Sequence, residues 1–330
     1  MNKRKPDVAR CTYVVLLDGP PCMEEGLRDL AAYLSELSAR GHDVVVIDGS
    51  GTETFEDRRR VLRWVSRHFH VGPESRSNSG AIDVVRAAAA VAVCDAIIVA
   101  DSDVRYSAEA INEVCNLLEV HEVVEPQDYP DPLSWWGGVE AARILVHRAI
   151  EPQPDHGLTF GFRRSAVATI RALAPLRGKR DQPRRLAASG AEVFPATSVF
   201  VSRKPASLAE WVSSLPEIAK SDFEHPLRSA FFLSLLPLFI ILTAFGGAQL
   251  AVGYASLLAL ISVVLALRGR VGASAFIPLR ACFLAPLWIV ERAVSVYWAF
   301  GLLLRRDQTA GATSSSGEAE TGRRAAGRGR

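Results

Sequence analysis

From Ser229 to Leu267 the chain carries no charged residue, and this stretch restricts the possible architectures more than any other. No ordinary soluble core needs so long an uncharged run, whereas about 20 apolar residues cross a bilayer once. Phe231 to Gly247 and Leu250 to Leu267 form two such segments with a short Gly-containing connection, which predicts a helical hairpin. Arg228 precedes the first segment, and Arg268 and Arg270 follow the second. Short cytoplasmic loops are enriched in Lys and Arg, so both ends of the hairpin are expected inside, on the plasma (inner) membrane of the cell, in a multi-pass arrangement. A third apolar stretch, Phe276 to Leu304, is interrupted by Arg280, Glu291 and Arg292. Charges at mid-bilayer are costly, so this stretch is expected to be an interfacial or re-entrant helix.

The remaining charge is almost balanced. The tail from Arg305 to Arg330 holds six Arg against Asp307, Glu318 and Glu320, out of 38 basic and 36 acidic residues overall, which leaves 32 basic against 33 acidic elsewhere. That balance argues against nucleic acid as a partner, while a basic tail suits a membrane surface. The tail, with Ser314-Ser-Ser316 and repeated Gly, Ala and Arg, reads as disordered. Cys11, Cys22, Cys94, Cys115 and Cys282 are odd in number and lack metal-ligand spacing, so reduced cytosolic thiols are expected. Met1 to Arg10 is basic, and the apolar run after it is too short for a signal peptide.

Ahead of the hydrophobic region the texture is that of an α/β domain. Tyr13-Val-Val-Leu-Leu17 is a short apolar run ending at the turn signal Asp18-Gly-Pro-Pro21, and Asp43-Val-Val-Val-Ile-Asp48 is a second run ending at Gly49-Ser-Gly-Thr52. Between them Leu27, Leu30, Ala31, Leu34 and Leu37 recur at helical spacing after Glu24 and Glu25. Strand, helix, strand is the opening of a nucleotide-binding α/β unit. Val61, Leu62, Val65 and Phe69 read as one helical stripe, Ala81 to Val93 as a helix close to the sheet, and Ala108 to Val120 as an amphipathic helix. Val123-Val-Glu-Pro126 reads as a strand. Tyr129 to Gly138 reads as an irregular aromatic stretch before a helix from Val139 to Ile150; Trp135 and Trp136 suit a cleft lining or equally a core closure or bilayer contact. His156 to Arg164 is strand-like and leads into a helix from Ser165 to Leu173, and Gly190 to Arg203 reads as strand. His68-Phe-His70 has no third ligand nearby and reads as surface.

The chemistry concentrates in Ala96-Ile-Ile-Val-Ala-Asp-Ser-Asp-Val-Arg-Tyr106. An unbroken apolar run suits a strand buried on both faces of a parallel sheet, and ligands of such sheets gather at the carboxyl ends of the strands. Asp101 and Asp103, two apart in an extended segment, point the same way. Their hard oxygens suit Mg²⁺ or Mn²⁺ carrying a diphosphate.

Taken in order, Val14 to Leu17 with Glu24 and Glu25, Val45-Val-Ile-Asp-Gly-Ser50, Asp95 to Tyr106 and His156 to Arg164 make the chain resemble an inverting family 2 glycosyltransferase, membrane-associated and actinobacterial in type. The resemblance covers roughly residues 12 to 304. It implies a GT-A (Rossmann-like) nucleotide-sugar-binding domain with a C-terminal α-helical membrane region. The expected bounds are a basic segment 1–11, a catalytic domain 12–227 on the cytoplasmic side, the hairpin 228–270, the interfacial segment 271–304 and the tail 305–330.

The resemblance also implies roles. Asp48 would bind the base or ribose of a UDP- or GDP-type sugar donor, Asp101 the ribose and metal, and Asp103 the metal directly. Arg163 and Arg164 would pair with the diphosphate through their planar forks. Apart from the resemblance, Trp135 and Trp136 read locally as a cleft lining or a core or bilayer contact, and Asp128, Asp131 and His156 as acceptor-side groups or ordinary solvated loop residues. The family usually carries its proton-accepting carboxylate after the element matching Gly161 to Arg164. Here that region reads Leu176-Arg-Gly-Lys-Arg-Asp-Gln-Pro183, which makes Asp181 the candidate catalytic base. The implied reaction is metal-assisted transfer of a sugar, with inversion, to a lipid or lipid-linked acceptor. The alternative is a catalytically impaired relative acting as a nucleotide-binding membrane scaffold.

Overall fold

All six residues of β1 (Thr12–Leu17) are buried, because the strand is covered on both faces. Tyr13, Val15 and Leu17 enter one apolar cluster and Val14 and Leu16 the other. The computed structural model describes residues 11–17, 24–64, 66–71, 84–151, 159–167, 192–224 and 226–302. These divide into two units.

The first unit comprises Met1–Gly137, Ile144–Pro205 and Arg268–Pro278. After β1, helix α1 (Glu24–Ala39) leads to β2 (Asp43–Asp48), α2 (Thr52–Leu62) to β3 (Arg67–His70), and α3 (Val84–Val91) to β4 (Ala96–Asp101). These four strands are parallel, in the order β3-β2-β1-β4. The chain thus builds outward from β1 to β3 and then crosses to the other side of β1, which creates a switch point between β1 and β4. Ligands of open α/β sheets bind at such points. Leu27, Leu30, Leu34 and Leu37 of α1 lie on one face of the sheet, and Val85 and Ala88 of α3 on the other. Each fully buried leucine contributes about 2 kcal/mol of transfer free energy.

The second half of the sheet is mixed. A two-residue strand, β5 (Val104–Arg105), is followed by α4 (Ala108–Leu118), β6 (Val123–Pro130), α5 (Trp135–Ile150), β7 (Thr159–Arg163) and β8 (Val193–Arg203). The full order is β3-β2-β1-β4-β7-β6-β8-β5. β7 is antiparallel to both neighbours, β4 and β6, while β6 and β8 are parallel. The α/β class expected from the sequence is therefore present, with an antiparallel strand inserted beside β4. Where β7 crosses α4 the approach is close: a Cβ added at Gly161 would lie 2.9 Å from Val114 Cγ1 and 3.1 Å from Leu118 Cδ1. Gly161→Val is therefore expected to lower stability by about 1–3 kcal/mol through overpacking, read as a lower thermal-unfolding midpoint. An unchanged midpoint would show that this contact is looser than the geometry indicates.

Several element boundaries differ from expectation. The predicted helical stripe through Val65 and Phe69 stops at Leu62, and Arg67–His70 is instead an edge strand paired with β2. Helix α5 begins at Trp135 rather than Val139, since Ser134 caps it by accepting from Gly137 N; Ser is a favoured N-cap. β6 runs on to Pro130 rather than stopping at Pro126.

The second unit comprises Gly138–Arg143, Ala206–Leu267 and Leu279–Arg330. It contains α6 (Leu208–Lys220), α7 (Pro226–Gly269), α8 (Leu279–Cys282) and a helix over residues 285–302. Among the described residues α7 is the one helix long and apolar enough to cross a membrane. Its most apolar window has a mean hydropathy of 2.4 and is only 17% buried within the chain. It is two helices in sequence, broken at Gly247, whose φ of 77° and ψ of 171° are not helical. Positive φ is accessible to glycine at little cost, so the predicted connection falls at the residue best suited to it. Leu235 and Phe239 before the break, Tyr254 and Leu258 after it, and Ile289 and Val290 of the last helix line one cavity of about 440 Å³. Arg292 in that helix does not stand alone: its guanidinium lies 3.2 Å from Asp222, with both side chains almost fully buried. Asp222 also approaches Arg228 at 3.7 Å.

Candidate functional site

The strand directions bring three aspartates to one edge of the first unit. β1, β2 and β4 run together, and β7 antiparallel between β4 and β6 brings β6 and β8 into the same direction. Asp48, Asp101 and Asp128 therefore sit at or near the carboxyl ends of β2, β4 and β6. Asp101 pairs in register with Leu16 of β1, at the switch point.

Asp101 is buried at the end of β4, and Asp103 is half-buried in the turn to β5. The turn is held from outside. Arg105 donates from Nη1 to the carbonyls of Ser102 (2.7 Å) and Val104 (2.9 Å), and Lys204 N donates to the Asp103 carbonyl (2.9 Å). Two carboxylates on a turn whose backbone is held this way fit, by donor type, a hard divalent cation. Among the described residues no group of three or more His, Cys, Asp or Glu side chains is poised for a metal. An ion at Asp101 and Asp103 would thus complete its shell with diphosphate oxygens and water, as Mg²⁺ and Mn²⁺ do at phosphate sites.

Asp48 has a different environment from the one expected of a residue reading a nucleotide. Its side chain is fully buried. Oδ1 accepts from Ser50 N (2.9 Å) and Arg58 Nη1 (3.0 Å), and Oδ2 lies 3.1 Å from His68 Nε2. Burial pushes its carboxyl up, but hydrogen bonds from His68 and Ser50 and the charge of Arg58 outweigh it and hold the pKa at about 2. His68, expected at the surface, is thus a buried partner of Asp48. Beside it His70 Nε2 meets the Ser50 carbonyl at 2.8 Å, and Phe55 packs on both imidazoles with centroids 4.6 and 4.7 Å away. The Asp48-Gly49-Ser50 turn is fixed by this cluster. Neither Arg58 nor His68 carries a sequence signal for the role, since their proximity to Asp48 is created by α2 and β3 folding back on β2.

The remaining expected site residues separate. Trp135 is exposed and Trp136 half-buried in the first turn of α5, edge to face at 5.7 Å, and α5 starts just beyond the carboxyl end of β6. Arg163 and Arg164, expected at the diphosphate, lie at the opposite edge. Because β7 is antiparallel to β4, Arg163 pairs with Ala96, at the start of the strand that ends in Asp101. Six residues of strand span about 17 Å, and the Arg163 guanidinium is bonded to the carbonyls of Leu118 and Glu119. Asp181 and His156 lie outside the described residues. Asp131 is exposed. Asp128 is buried and paired with Arg203 at 3.2 Å, a partner that strand pairing of β6 with β8 supplies and sequence spacing does not reveal. Near it, Phe276 stacks on Phe200 at 4.4 Å and packs on Tyr129 at 5.5 Å.

No known protein family matches the chain in sequence, and no curated protein does. Solved structures do show similarity of shape. The mannosyltransferase PcManGT from Pyrobaculum calidifontis, in complex with GDP-Man and Mn²⁺, is 17% identical over 90% of this chain and 91% of its own, with a TM-score of 0.48. Glucosyl-3-phosphoglycerate synthase from Mycobacterium tuberculosis, in complex with Mn²⁺, UDP and glucosyl-3-phosphoglycerate, is 18% identical over 64% of this chain and 78% of its own, with a TM-score of 0.39. S. aureus TarS 1-349 is 14% identical over 87% of this chain and 90% of its own, with a TM-score of 0.38. None of these three reaches a TM-score of 0.5, and the mixed α/β class of this chain rests on its own strand order.

Proposed function

We propose that the chain is a glycosyltransferase of the GT-A kind that uses a nucleoside-diphosphate sugar of the UDP or GDP type. The observation that supports this most directly is the delivery of Asp101 and Asp103 together, on a clamped turn, at the switch point between β1 and β4. Asp101 and Asp103 would hold Mg²⁺ or Mn²⁺. When bound there, such an ion supplies Lewis-acid neutralisation of the departing diphosphate, which spares the protein a general acid. The buried Asp48 cluster holds the Gly49–Gly51 turn in place at the carboxyl end of β2, where it would form part of the nucleoside side of the cleft. The exposed face of Trp135 offers an apolar wall at the start of α5. Attack by an acceptor hydroxyl from the face opposite the leaving group inverts the anomeric centre and requires a carboxylate to take the proton; Asp181 is the residue proposed for it.

The acceptor is proposed to be a lipid or lipid-linked sugar. Helix α7, apolar and largely unburied within the chain, supports membrane attachment as a broken hairpin, with the first unit on the cytoplasmic side beside Arg228, Arg268 and Arg270. The test is release of nucleoside diphosphate by the full chain in detergent micelles with Mn²⁺ across a panel of UDP- and GDP-sugars, with and without polyprenyl and glycolipid acceptors. Metal-dependent turnover with one donor is the expected result. Binding of donor with no turnover for any pairing would instead leave the scaffold reading.

A further inference from the structure

Every backbone carbonyl from Ser102 to Arg105 accepts a hydrogen bond, two of them from the Arg105 side chain and two from residues of the facing β8 segment. Arg105 Nη1 binds those of Ser102 and Val104, Lys204 N that of Asp103, and Ser202 Oγ that of Arg105 itself at 3.1 Å. The arginine is in turn gripped. Its Nη2 donates to Asp29 Oδ2 on α1 at 2.9 Å, and the same oxygen accepts from Lys204 Nζ at 2.6 Å. Its guanidinium lies over the Tyr33 ring at 4.9 Å, and the Tyr33 hydroxyl accepts from Tyr106 N at 2.9 Å. Residues from α1, β8 and the segment after it thus converge on a turn of two residues.

We propose that Arg105, anchored by Asp29, is a positioning residue that presets the Asp101–Asp103 turn for a divalent cation, an inference that rests on the metal reading above. Two like carboxylates side by side repel when no cation is present, so an unrestrained turn relaxes apart and must be reassembled on binding. Fixing the carbonyls removes that reorganisation, which is how groups behind the first ligands raise metal affinity. Arginine is required for it: one planar fork spans two carbonyls and still reaches Asp29, which a lysine ammonium cannot do with the same geometry. The ion pair itself is half-exposed at Asp29, and exposed pairs contribute little to stability. Loss of the Asp29 partner is therefore expected to act on metal affinity and leave the fold's stability nearly untouched, whereas Arg105 itself is only 16% exposed.

The test is titration of the full chain in detergent micelles with Mn²⁺, followed by loss of the free-ion EPR signal, alone and with UDP or GDP. Arg105→Ala is expected to weaken Mn²⁺ binding by about 10- to 100-fold, the range for groups behind metal ligands, with the thermal midpoint measured alongside to separate affinity from stability. Arg105→Lys should fail to restore affinity, and Asp29→Asn should lie between Arg105→Ala and wild type. Asp103→Ala separates the two ideas. If it loses Mn²⁺ while Arg105→Ala and Asp29→Asn bind as wild type, the clamp is wrong and the metal site stands. If the wild-type chain takes up no Mn²⁺, both fall. Should Arg105→Ala unfold, Asp29→Asn decides, because its side chain is half in solvent.

Discussion

Asp103→Ala is expected to reduce metal-dependent donor turnover by about 10² to 10³-fold, the cost of removing one group that stabilises developing charge. Asp103 sits on the turn rather than in the strand, half-buried, so its truncation leaves no apolar cavity and the unfolding midpoint should stay near that of the wild type. Donor binding should lose its dependence on Mn²⁺ while retaining whatever the Gly49–Gly51 turn contributes. Initial rates against Mn²⁺ concentration, measured beside thermal unfolding, distinguish a lost ligand from a lost fold. Wild-type rates in the variant would remove Asp103 from the metal site and with it the main support for the proposed reaction.

Asp48→Ala is expected to act in the opposite sense, on stability first. The substitution strands Arg58 and His68, whose side chains are 4% and 2% exposed, without their carboxylate. Leaving a buried charge unpaired costs about 3–5 kcal/mol, so the unfolding midpoint should fall by roughly 6–20 °C at about 2–4 °C per kcal/mol. The pH dependence follows from the depressed pKa. With the folded value at about 2 and an unfolded value near 3.9, the ionised group contributes roughly 2–3 kcal/mol that is present above about pH 4. That contribution is lost as pH falls through the folded pKa. A stability-against-pH profile between about pH 5 and 2 should therefore be flatter in Asp48→Asn than in the wild type. Equal slopes would mean that the carboxylate is not held by this cluster.

The parts of the site legible in the sequence are those set by neighbours along the chain. An apolar run that ends in Asp101 and Asp103 announces a strand with carboxylates at its end, since burial on both faces removes every other polar residue from it. Gly247 lies where the uncharged stretch was expected to turn, because glycine is the residue that takes positive φ without strain. Phe69, by contrast, continues the apolar spacing of Val61, Leu62 and Val65, which predicts helix beyond the true end of α2 at Leu62. What makes Arg67–His70 a strand is the open edge of β2, a partner more than twenty residues earlier.

The sequence by itself determined the apolar runs of β1, β2 and β4, the position of Asp101 and Asp103 at the end of one of them and the apolar segments, all of which follow from burial and local spacing. Only the tertiary structure decided which groups meet. The antiparallel direction of β7 carries Arg163 and Arg164 to the edge away from Asp101. Burial of Asp48 turns a residue expected to touch substrate into the centre of an Arg58–His68 cluster. The convergence of Asp29, Lys204 and Arg105 converts three scattered charges into one clamp. Strand direction and pairing are long-range properties, and single-chain spacing does not encode them.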